Sequence, residues 1–532
     1  PSSLVVSSGT CNESGVQRKS STDNTPAVSV GEDGEYIGNN VNFSTSNAQS
    51  SAVHSYNGGR VNLTAGLIIT QGLRSFGLRA LDSGTIQATG ITIETSGGEG
   101  QGALAGANGK ITLDQVNITT TGQRGDGLAA VGSGAIIFGS NLQISTSGQS
   151  PPEVEDKDSA DGASYGALAR DGGSITLERS VIETRGRAGI GIYVIQEGKE
   201  GSTFYGNGLK IYTYSTLSAG VVVEGSSSQL NLTASEIQTA EREAVGFWAY
   251  NGAQASLANV QINTIESLAD GILAHDAGTQ VRLTGVDIQT RGQFSYGIYA
   301  TGASTVSASG LSVRTTGNAS RGVAVVDSGT TVTIENATIT TAGVDAPGLF
   351  AWDGATIDAT NASVAAAGAN SAAIHMRGGL RNGTLTAPVQ VSVTGGSLSA
   401  SQGPIVLADG ARGVLTLSDS VVLSPGTVDG QLTFVRVTEA GGTPSDFTLS
   451  VDRVAGIVGA FSVTGSGHTV DAAFNRSSWT GDLVVDPANT VNVALARSWW
   501  SGQATNATSI SVDQSSTWRI TGSSTAGTVT NA

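Results

Sequence analysis

Short runs of alternating hydrophobic and polar residues recur along the chain. In the run Ile91–Thr95, Ile91 and Ile93 share one face with Thr95, and the polar residues between them share the other. The same register recurs at residues 116–120, 142–146, 260–264, 286–290 and 311–315. Alternation with a period of two predicts short β-strands with one buried face. We expect aliphatic columns inside a stack of strands, beside a column of threonines whose hydroxyls hydrogen-bond to the next repeat.

Glycines separate these runs at a nearly constant step. Gly34, Gly59, Gly84, Gly109 and Gly134 follow one another at intervals of 25 residues. Each repeat also holds a second short run that follows another glycine, as in residues 77–80, 102–105 and 127–130. A third run begins at each glycine of the 25-residue series, as at Gly84. A fixed period built from strands and turns predicts a stacked solenoid. Three strands per turn, joined by right-handed crossovers, predict an all-β fold: a right-handed three-stranded parallel β-helix.

The repeat is interrupted in two places. Residues 149–163 are inserted between Gly134 and Gly173 and are rich in Asp, Glu and Pro. Insertions in a solenoid project from one turn, so we expect an acidic surface loop here. Beyond residue 425 the glycine spacing becomes irregular, and four of the six tryptophans follow at positions 479, 499, 500 and 518. Because a solenoid needs an atypical end over its last open core, we expect a β-helix over residues 1–425 and a C-terminal cap over residues 426–532.

Composition narrows the possible partners. The chain has 532 residues, a net charge of −16 and only 13% charged residues. Its few lysines are scattered, so no basic stripe is present and we expect no nucleic-acid partner. Cys11 is the only cysteine and has no internal partner for a disulfide. The four histidines fall in separate repeats without metal-ligand spacing, so we expect neither a metal site nor a cofactor.

The repeat unit and the C-terminal segments together resemble a known family. The turn-strand unit Gly-x-x-Gly-[Ile/Leu]-x-Ala, the Ile-x-Thr columns and the segments beginning at Trp479, Trp500 and Ser516 are similar to the passenger domains of classical autotransporters of Gram-negative bacteria, in the pertactin and AIDA-type adhesin group. The C-terminal segments resemble the autochaperone region that nucleates folding in this family.

The resemblance implies a location, a partner and a function. Such a passenger is exported through the periplasm and the outer membrane and is displayed at the bacterial cell surface. The alternating strands of a membrane barrel are not found in this sequence, so we expect a passenger without its outer-membrane β-barrel translocator, which would be a partner. The expected function is adhesion to host extracellular matrix, as a virulence or biofilm factor. Passengers share a fold and differ in ligand, so the resemblance does not name the ligand.

Arg124-Gly125-Asp126 is an integrin-type tripeptide and the first candidate ligand site. Alignment of the repeats places it at the turn where Ser75-Phe76-Gly77 and Ser295-Tyr296-Gly297 stand in other repeats. We expect the tripeptide to be exposed at that turn.

The second candidate site is the polar side of the Ile-x-Thr strands. Each repeat adds two polar groups about 4.8 Å beyond the last, which makes a flat ladder suited to an extended partner. We expect it to bind a host matrix protein such as fibronectin, a glycosaminoglycan, or the same passenger on a neighbouring cell. Aromatic residues are candidates for stacking anchors beside it: Tyr212, Tyr214, Phe247, Trp248, Tyr250, Phe294, Tyr296 and Tyr299. The predicted ligand-binding positions in the ladder are Asn117, Gln143, Lys210, Gln261, Asn263, Asp287, Gln289 and Arg314.

A polysaccharide-active enzyme is the remaining alternative, because parallel β-helices also host lyases and hydrolases. Such enzymes need clustered carboxylates for acid–base chemistry, and the repeats contain no paired aspartates. The Asp-Ser-Gly strings at Asp82 and Asp327 occur at the same position of the repeat and are typical of turns. We therefore assign no catalytic residues and expect a binding protein, not an enzyme.

Overall fold

The computed structural model describes residues 2–148, 163–381 and 383–531. These residues form strands and turns without any helix, so none of them belongs to a helix that could span a membrane. The chain divides into two units, residues 1–269 and 270–532. The predicted boundary at residue 425 stays a prediction. Of the predicted acidic loop, residues 149–162 lie outside the described part of the chain.

Unit 1 is a parallel β-helix whose turns contain three strands, here called A, B and C in chain order. The A strands are Val53–Ser55, Leu78–Ala80, Ala103–Ala105, Leu128–Val131, Ala167–Arg170, Ile192–Ile195, Val221–Glu224 and Phe247–Tyr250. The B strands are Lys110–Asp114, Ile136–Ser140, Ser174–Glu178, Thr203–Asn207, Gln229–Thr233 and Gln254–Ala258. The C strands are Gln17–Ser20, Asn117–Thr120, Gln143–Thr146, Val181–Thr184, Lys210–Thr213, Glu236–Thr239 and Gln261–Thr264. Longer strands that merge two or three of these positions are Leu4–Ser14, Val28–Thr45, Arg60–Thr70 and Thr85–Thr95.

Unit 2 repeats the same three positions. Its A strands are Ile272–Ala274, Ile298–Ala300, Val323–Val326, Leu349–Trp352, Ile374–Arg377, Val406–Asp409, Gln431–Thr438, Ala460–Val463, Leu483–Val485 and Ala504–Thr505. Its B strands are Gln280–Thr284, Thr305–Ser309, Thr331–Glu335, Thr356–Thr360, Val389–Thr394, Arg412–Ser418, Asp446–Asp452, Thr469–Asn475, Thr490–Ala496, Ala507–Val512 and Ala526–Asn531. Its C strands are Asp287–Thr290, Ser312–Thr315, Thr338–Thr341, Ser363–Ala369, Ser397–Gln402 and Val422–Ser424, followed by a separate sheet of Ile457–Val458, Ser478–Thr480, Trp499–Gly502 and Thr517–Ile520. Short antiparallel pairings involve Leu380–Arg381 with Thr384–Leu385, and Thr427–Val428 with Gln431–Thr438.

The predicted inward columns are confirmed. Ile93 and Ile118 are fully buried and adjacent in register, and Thr95 and Thr120 are buried beside them. The glycine that opens each A strand makes room for this column. A Cβ on Gly102 would overlap the Cγ2 methyl of Ile118 in the same turn. The Gly-[Ile/Leu]-x-Ala unit is therefore a packing requirement of the core.

The threonine column bonds differently from the prediction. The hydroxyls do not bridge to the next turn. Thr95 Oγ1 donates to the carbonyl of Gly100 at 3.1 Å, and Thr184 Oγ1 donates to that of Gly189 at 3.0 Å, five residues further along the same turn. Each threonine thus closes the tight corner between a C strand and the next A strand. The prediction was wrong because sequence spacing does not show that the chain folds back at this corner.

The glycines of the 25-residue series are required by the close approach of successive turns. A Cβ on Gly84 would overlap the carbonyl oxygen of Ser55, and one on Gly109 would overlap that of Ala80. Since these carbonyls belong to the preceding turn, the glycines allow successive turns to approach at the corner between the A and B strands. The 25-residue step is the length of one turn.

Tryptophans in the last part of unit 2 stack on successive turns. The rings of Trp479, Trp500 and Trp518 lie parallel, with 4.8 Å between each neighbouring pair of centroids. The indole nitrogens donate along the stack: Trp479 Nε1 to Gly459 O and Trp500 Nε1 to Gly481 O, both at 2.8 Å. Trp479 and Trp500 are buried inside their turns and Trp518 is half-buried, whereas Trp499, next to Trp500, faces outward.

Candidate binding surfaces

The predicted polar ladder is present on the outward side of the C strands in unit 1. Asn117 and Gln143 are direct neighbours in register, and Asn117, Gln143, Lys210 and Gln261 are exposed while Asn263 is half-buried. The structure adds Glu183 and Glu236 to the ladder, which the sequence prediction omitted. Val181 interrupts it between Gln143 and Lys210. The groups form an open array and do not converge on one point.

The ladder also occurs in unit 2. Asp287 and Gln289 pair in register with Ser312 and Arg314, and Ser312 Oγ donates to Asp287 Oδ1 at 2.9 Å. Arg314 is exposed, while Asp287 and Gln289 are half-buried. The aromatic anchors proposed beside the ladder behave differently from one another: Phe247 is fully buried inside its turn, and Phe294 is exposed at a corner.

The integrin-type tripeptide is not exposed as predicted. Arg124 is exposed, but Gly125 is buried and only 4% of Asp126 is accessible. Asp126 Oδ1 accepts a hydrogen bond from the backbone N–H of Tyr165 at 2.9 Å, and Gln101 also hydrogen-bonds to this carboxyl. Arg124 instead lies 3.9 Å from Glu99. Integrin-type recognition needs an accessible carboxylate, and in this conformation the Asp126 carboxylate is part of the corner.

Burial raises the pKa of the Asp126 carboxyl to about 7. The unfolded chain ionises this group near pH 4, so the folded state holds an extra proton between about pH 4 and pH 7 and loses stability as the pH rises through that window. We expect Asp126→Asn to match the wild type at pH 4 and to be more stable by up to about 4 kcal/mol at pH 8. Urea denaturation at both pH values measures this difference. Equal stability of the two proteins at pH 8 would contradict the burial of an ionisable Asp126.

A second outward surface lies on the A strands, where the sequence prediction named single aromatic residues, Trp248 and Tyr250 among them, as candidate anchors for the ladder but no separate surface. In unit 1 this surface carries an aromatic and aliphatic cluster, the aromatic patch, made of Tyr165, Leu168, Tyr193, Val222, Trp248 and Tyr250. Leu168, Tyr193 and Val222 are almost completely buried although they point away from the core. Trp248 and Tyr250 are half-exposed at one side of the patch, where their ring centroids are 4.7 Å apart.

One carboxylate organises this edge of the patch. Glu224 Oε2 accepts hydrogen bonds from the hydroxyls of Tyr193 and Tyr250, both at 2.6 Å. Burial raises the pKa of the Tyr193 hydroxyl, with the neighbouring Tyr250 and Glu224 adding to the effect. Trp248 Nε1 is buried and has no hydrogen-bond partner among the described residues. A rigid aromatic surface thus presents one unused donor.

The A strands of unit 2 carry a different set of outward side chains. The Arg321 guanidinium carbon lies 3.7 Å from the ring centroid of Phe350 and 4.9 Å from that of Tyr296. The His375 ring is 5.2 Å from the Phe350 ring, and Trp352 follows Phe350 on the same strand. Burial raises the pKa of the nearby Asp270 to about 7, although its Oδ1 accepts the backbone N–H of Tyr296 at 2.7 Å.

No metal centre is formed by the described residues, which contain no group of three or more His, Cys, Asp or Glu side chains arranged to hold an ion. The Asp-Ser-Gly strings lie in turns, with Asp82 and Asp327 in the left-handed region at φ of 46° and 77°. This confirms their interpretation as turn residues.

Sequence comparison matches part of the chain to a family model described as a right-handed β-helix region, over residues 219–385. No curated protein matches the sequence. The predicted right-handed three-stranded parallel β-helix is confirmed.

Two solved structures are similar to this chain. The first is the cryo-EM structure of Vag8, a Bordetella autotransporter passenger, in complex with C1 inhibitor. It is 18% identical, with a TM-score of 0.55, over 93% of this chain and 100% of that one. This match confirms, at the level of the fold, the resemblance to autotransporter passengers. The second is the A-module of the Azotobacter vinelandii mannuronan C-5 epimerase AlgE6. It is 11% identical over 79% of this chain and 90% of that one, and its TM-score of 0.21 is too low to support an argument.

Proposed function

We propose that this protein is an autotransporter passenger, exported through the periplasm and outer membrane and displayed at the bacterial surface as an adhesin. The shared fold with Vag8 over 93% of the chain supports this proposal, together with the Ile-x-Thr columns and the tryptophan-containing C-terminal segments. Vag8 was solved with a bound protein, C1 inhibitor. The outer-membrane translocator, adhesion and a role in virulence or biofilm formation belong to the same proposal.

The ligand in this proposal is a host extracellular-matrix protein, and it binds at the aromatic patch of unit 1. One observation carries the assignment: Trp248 and Tyr250 stand half-exposed on an outward face, and the Trp248 N–H is buried without a partner. Outward positions of a solenoid face solvent, so its stability does not require large aromatic side chains there. Tryptophan and tyrosine are the residues that contribute most binding energy at protein interfaces, where the indole N–H finds a partner across the contact.

Binding to immobilised fibronectin, laminin and collagen tests the assignment. We expect the isolated chain to bind at least one of them, and Trp248→Ala to weaken that binding by about 30-fold, as the loss of a central anchor does. Gln261→Ala is the matched control, because Gln261 is exposed on the C strand of the same unit and lies outside the patch. Thermal unfolding shows whether each variant is folded. Equal weakening by both substitutions, or by neither, would contradict the patch as the binding site.

Self-association through the polar ladder is a second candidate function. It is favoured by the parallel array of outward amides and carboxylates on successive turns, which includes the exposed Asn117 and Gln143 and the half-buried Glu236. Flat arrays of this kind gain strength by multivalency even when each contact is weak. We expect the double substitution Asn117→Lys and Gln261→Lys to abolish concentration-dependent dimers measured by analytical sedimentation. It should also abolish the clumping of cells that display this chain. Clumping that survives both substitutions would exclude the ladder as the contact.

A further inference from the structure

Four side chains on or just before consecutive A strands of unit 2 form a cluster of hydrogen-bond donors, the cation cluster. It consists of Arg321, Trp352, His375 and Arg377, of which Arg321 lies just before the strand Val323–Val326. Phe350 pairs in register with His375, and Trp352 pairs with Arg377. Arg321 and His375 both contact the ring of Phe350, and the Arg377 guanidinium carbon lies 5.5 Å from the ring centroid of Trp352. The cluster therefore converges on the Phe350–Trp352 strand.

The donors of this cluster are poorly satisfied within the protein. Arg321 Nη1 donates to the hydroxyl of Tyr296 at 3.0 Å, and no described carboxylate lies within 4.0 Å of its guanidinium. The same is true of Arg377. Trp352 Nε1 is buried and has no hydrogen-bond partner among the described residues, while the buried His375 ring interacts with Asp409, whose Oδ2 lies 3.8 Å from Nε2. Arg321 is half-buried, and a cation taken out of water without a counter-charge costs free energy, as does a buried donor without an acceptor, whereas the exposed Arg377 keeps its hydration.

The carboxylates nearby do not supply the counter-charge that Arg321 lacks. Asp327 and Asp353 are both engaged by Arg381. Asp409 lies 3.8 Å from His375 Nε2 and is the register neighbour of Arg377. Asp270 holds its proton up to about pH 7 because it is buried. Arg321 thus remains without a close counter-ion, and burial together with the neighbouring Arg377 lowers its pKa.

We propose that the cation cluster binds the carboxylate or sulfate groups of an acidic polysaccharide. Guanidinium groups pair with such oxyanions through two parallel hydrogen bonds, and the indole N–H supplies a further donor. Arg321 and Arg377 stand two turns apart, about 10 Å along the strand stack, so the site suits a chain that repeats its acidic groups at regular intervals. The aromatic rings of Tyr296 and Phe350 give the sugar backbone an apolar surface. This site is independent of the aromatic patch of unit 1.

Binding of the full chain to polygalacturonate and to size-defined heparin at low salt tests the proposal, with dextran as the uncharged control and polyglutamate as the acidic peptide. We expect the acidic glycans to bind and dextran not to bind, since a chain of net charge −16 has no general attraction for polyanions. Binding should weaken steeply as salt is raised. No binding to either glycan would overturn the proposal, and tighter binding of polyglutamate would overturn the choice of a glycan.

Single substitutions distinguish glycan binding at this cluster from a general effect of the protein's other charged residues. We expect Arg377→Gln to weaken glycan binding at least tenfold, and Arg282→Gln, an exposed arginine on the B strand Gln280–Thr284 of the same unit and outside both candidate surfaces, to leave it unchanged. Arg321 is packed between two rings, so Arg321→Gln is informative only where thermal unfolding shows an intact fold. Trp352→Phe keeps the ring and removes the N–H, and we expect it to weaken binding without altering the unfolding temperature. Unchanged binding by both Arg377→Gln and Trp352→Phe would overturn the site.

Discussion

Replacing Trp500 with alanine is expected to lower the free energy of unfolding of this protein by about 4 kcal/mol. Trp500 is fully buried and stacks at 4.8 Å against both Trp479 and Trp518. Its loss opens a large cavity and breaks the stack in the middle. It also leaves the carbonyl of Gly481 without the indole donor that reaches it at 2.8 Å. Urea denaturation followed by circular dichroism measures the change.

Trp499→Ala is the matched control, because Trp499 is the neighbouring residue of the same strand and is 39% exposed on the opposite face. We expect it to change the free energy of unfolding by no more than about 1 kcal/mol. If the two substitutions cost the same, the tryptophans do not alternate between the inside and the outside of the turn. That result would contradict the register of this sheet.

Gly97→Ala is expected to cost about 3 kcal/mol or to prevent folding, although it adds a single methyl group. A Cβ at this position would overlap the backbone carbonyl of Gly72 in the preceding turn, and a backbone atom cannot move aside without separating the turns. Gly98→Ala provides the comparison, because its Cβ would make only ordinary van der Waals contacts, with the end of the Leu73 side chain at 3.4 Å and with the Gln123 carbonyl oxygen at 3.7 Å. Urea denaturation of both variants measures the difference. Equal costs would show that the turn conformation, and not the approach of successive turns, requires glycine.

The fold was predictable because the residue pattern that specifies it repeats with every turn of the β-helix. Alternation at Ile91 and Ile93 gives the buried face of one strand, and the glycine step gives the length of one turn. Each turn contacts only its neighbours, so a local pattern is enough to specify the architecture. The direction of the Thr95 hydroxyl was not predictable in the same way, since it depends on a corner that the spacing does not reveal.

The candidate sites were harder to predict. The polar ladder followed from alternation, but the burial of Asp126 did not, because a corner residue has no alternating partner to indicate its face. The strands that carry Tyr193, Trp248 and Phe350 are four residues long and apolar almost throughout, so the sequence did not show which of their residues share an outward surface. A signal was present: tryptophan and tyrosine at the position between the two inward residues of an A strand. It becomes visible only when the register of successive turns is known.

Hydroxyl-radical footprinting of the full chain with and without its matrix ligand tests the central claim, that the matrix ligand binds the A-strand surface of unit 1 and not the C-strand ladder. Oxidation of Trp248 and Tyr250 reports on the aromatic patch, and oxidation of Tyr212, an outward residue of the C strand Lys210–Thr213, reports on the ladder. We predict that the ligand protects Trp248 and Tyr250 and leaves Tyr212 as reactive as in the free protein. Protection of Tyr212 with unchanged oxidation of Trp248 and Tyr250 would contradict the account.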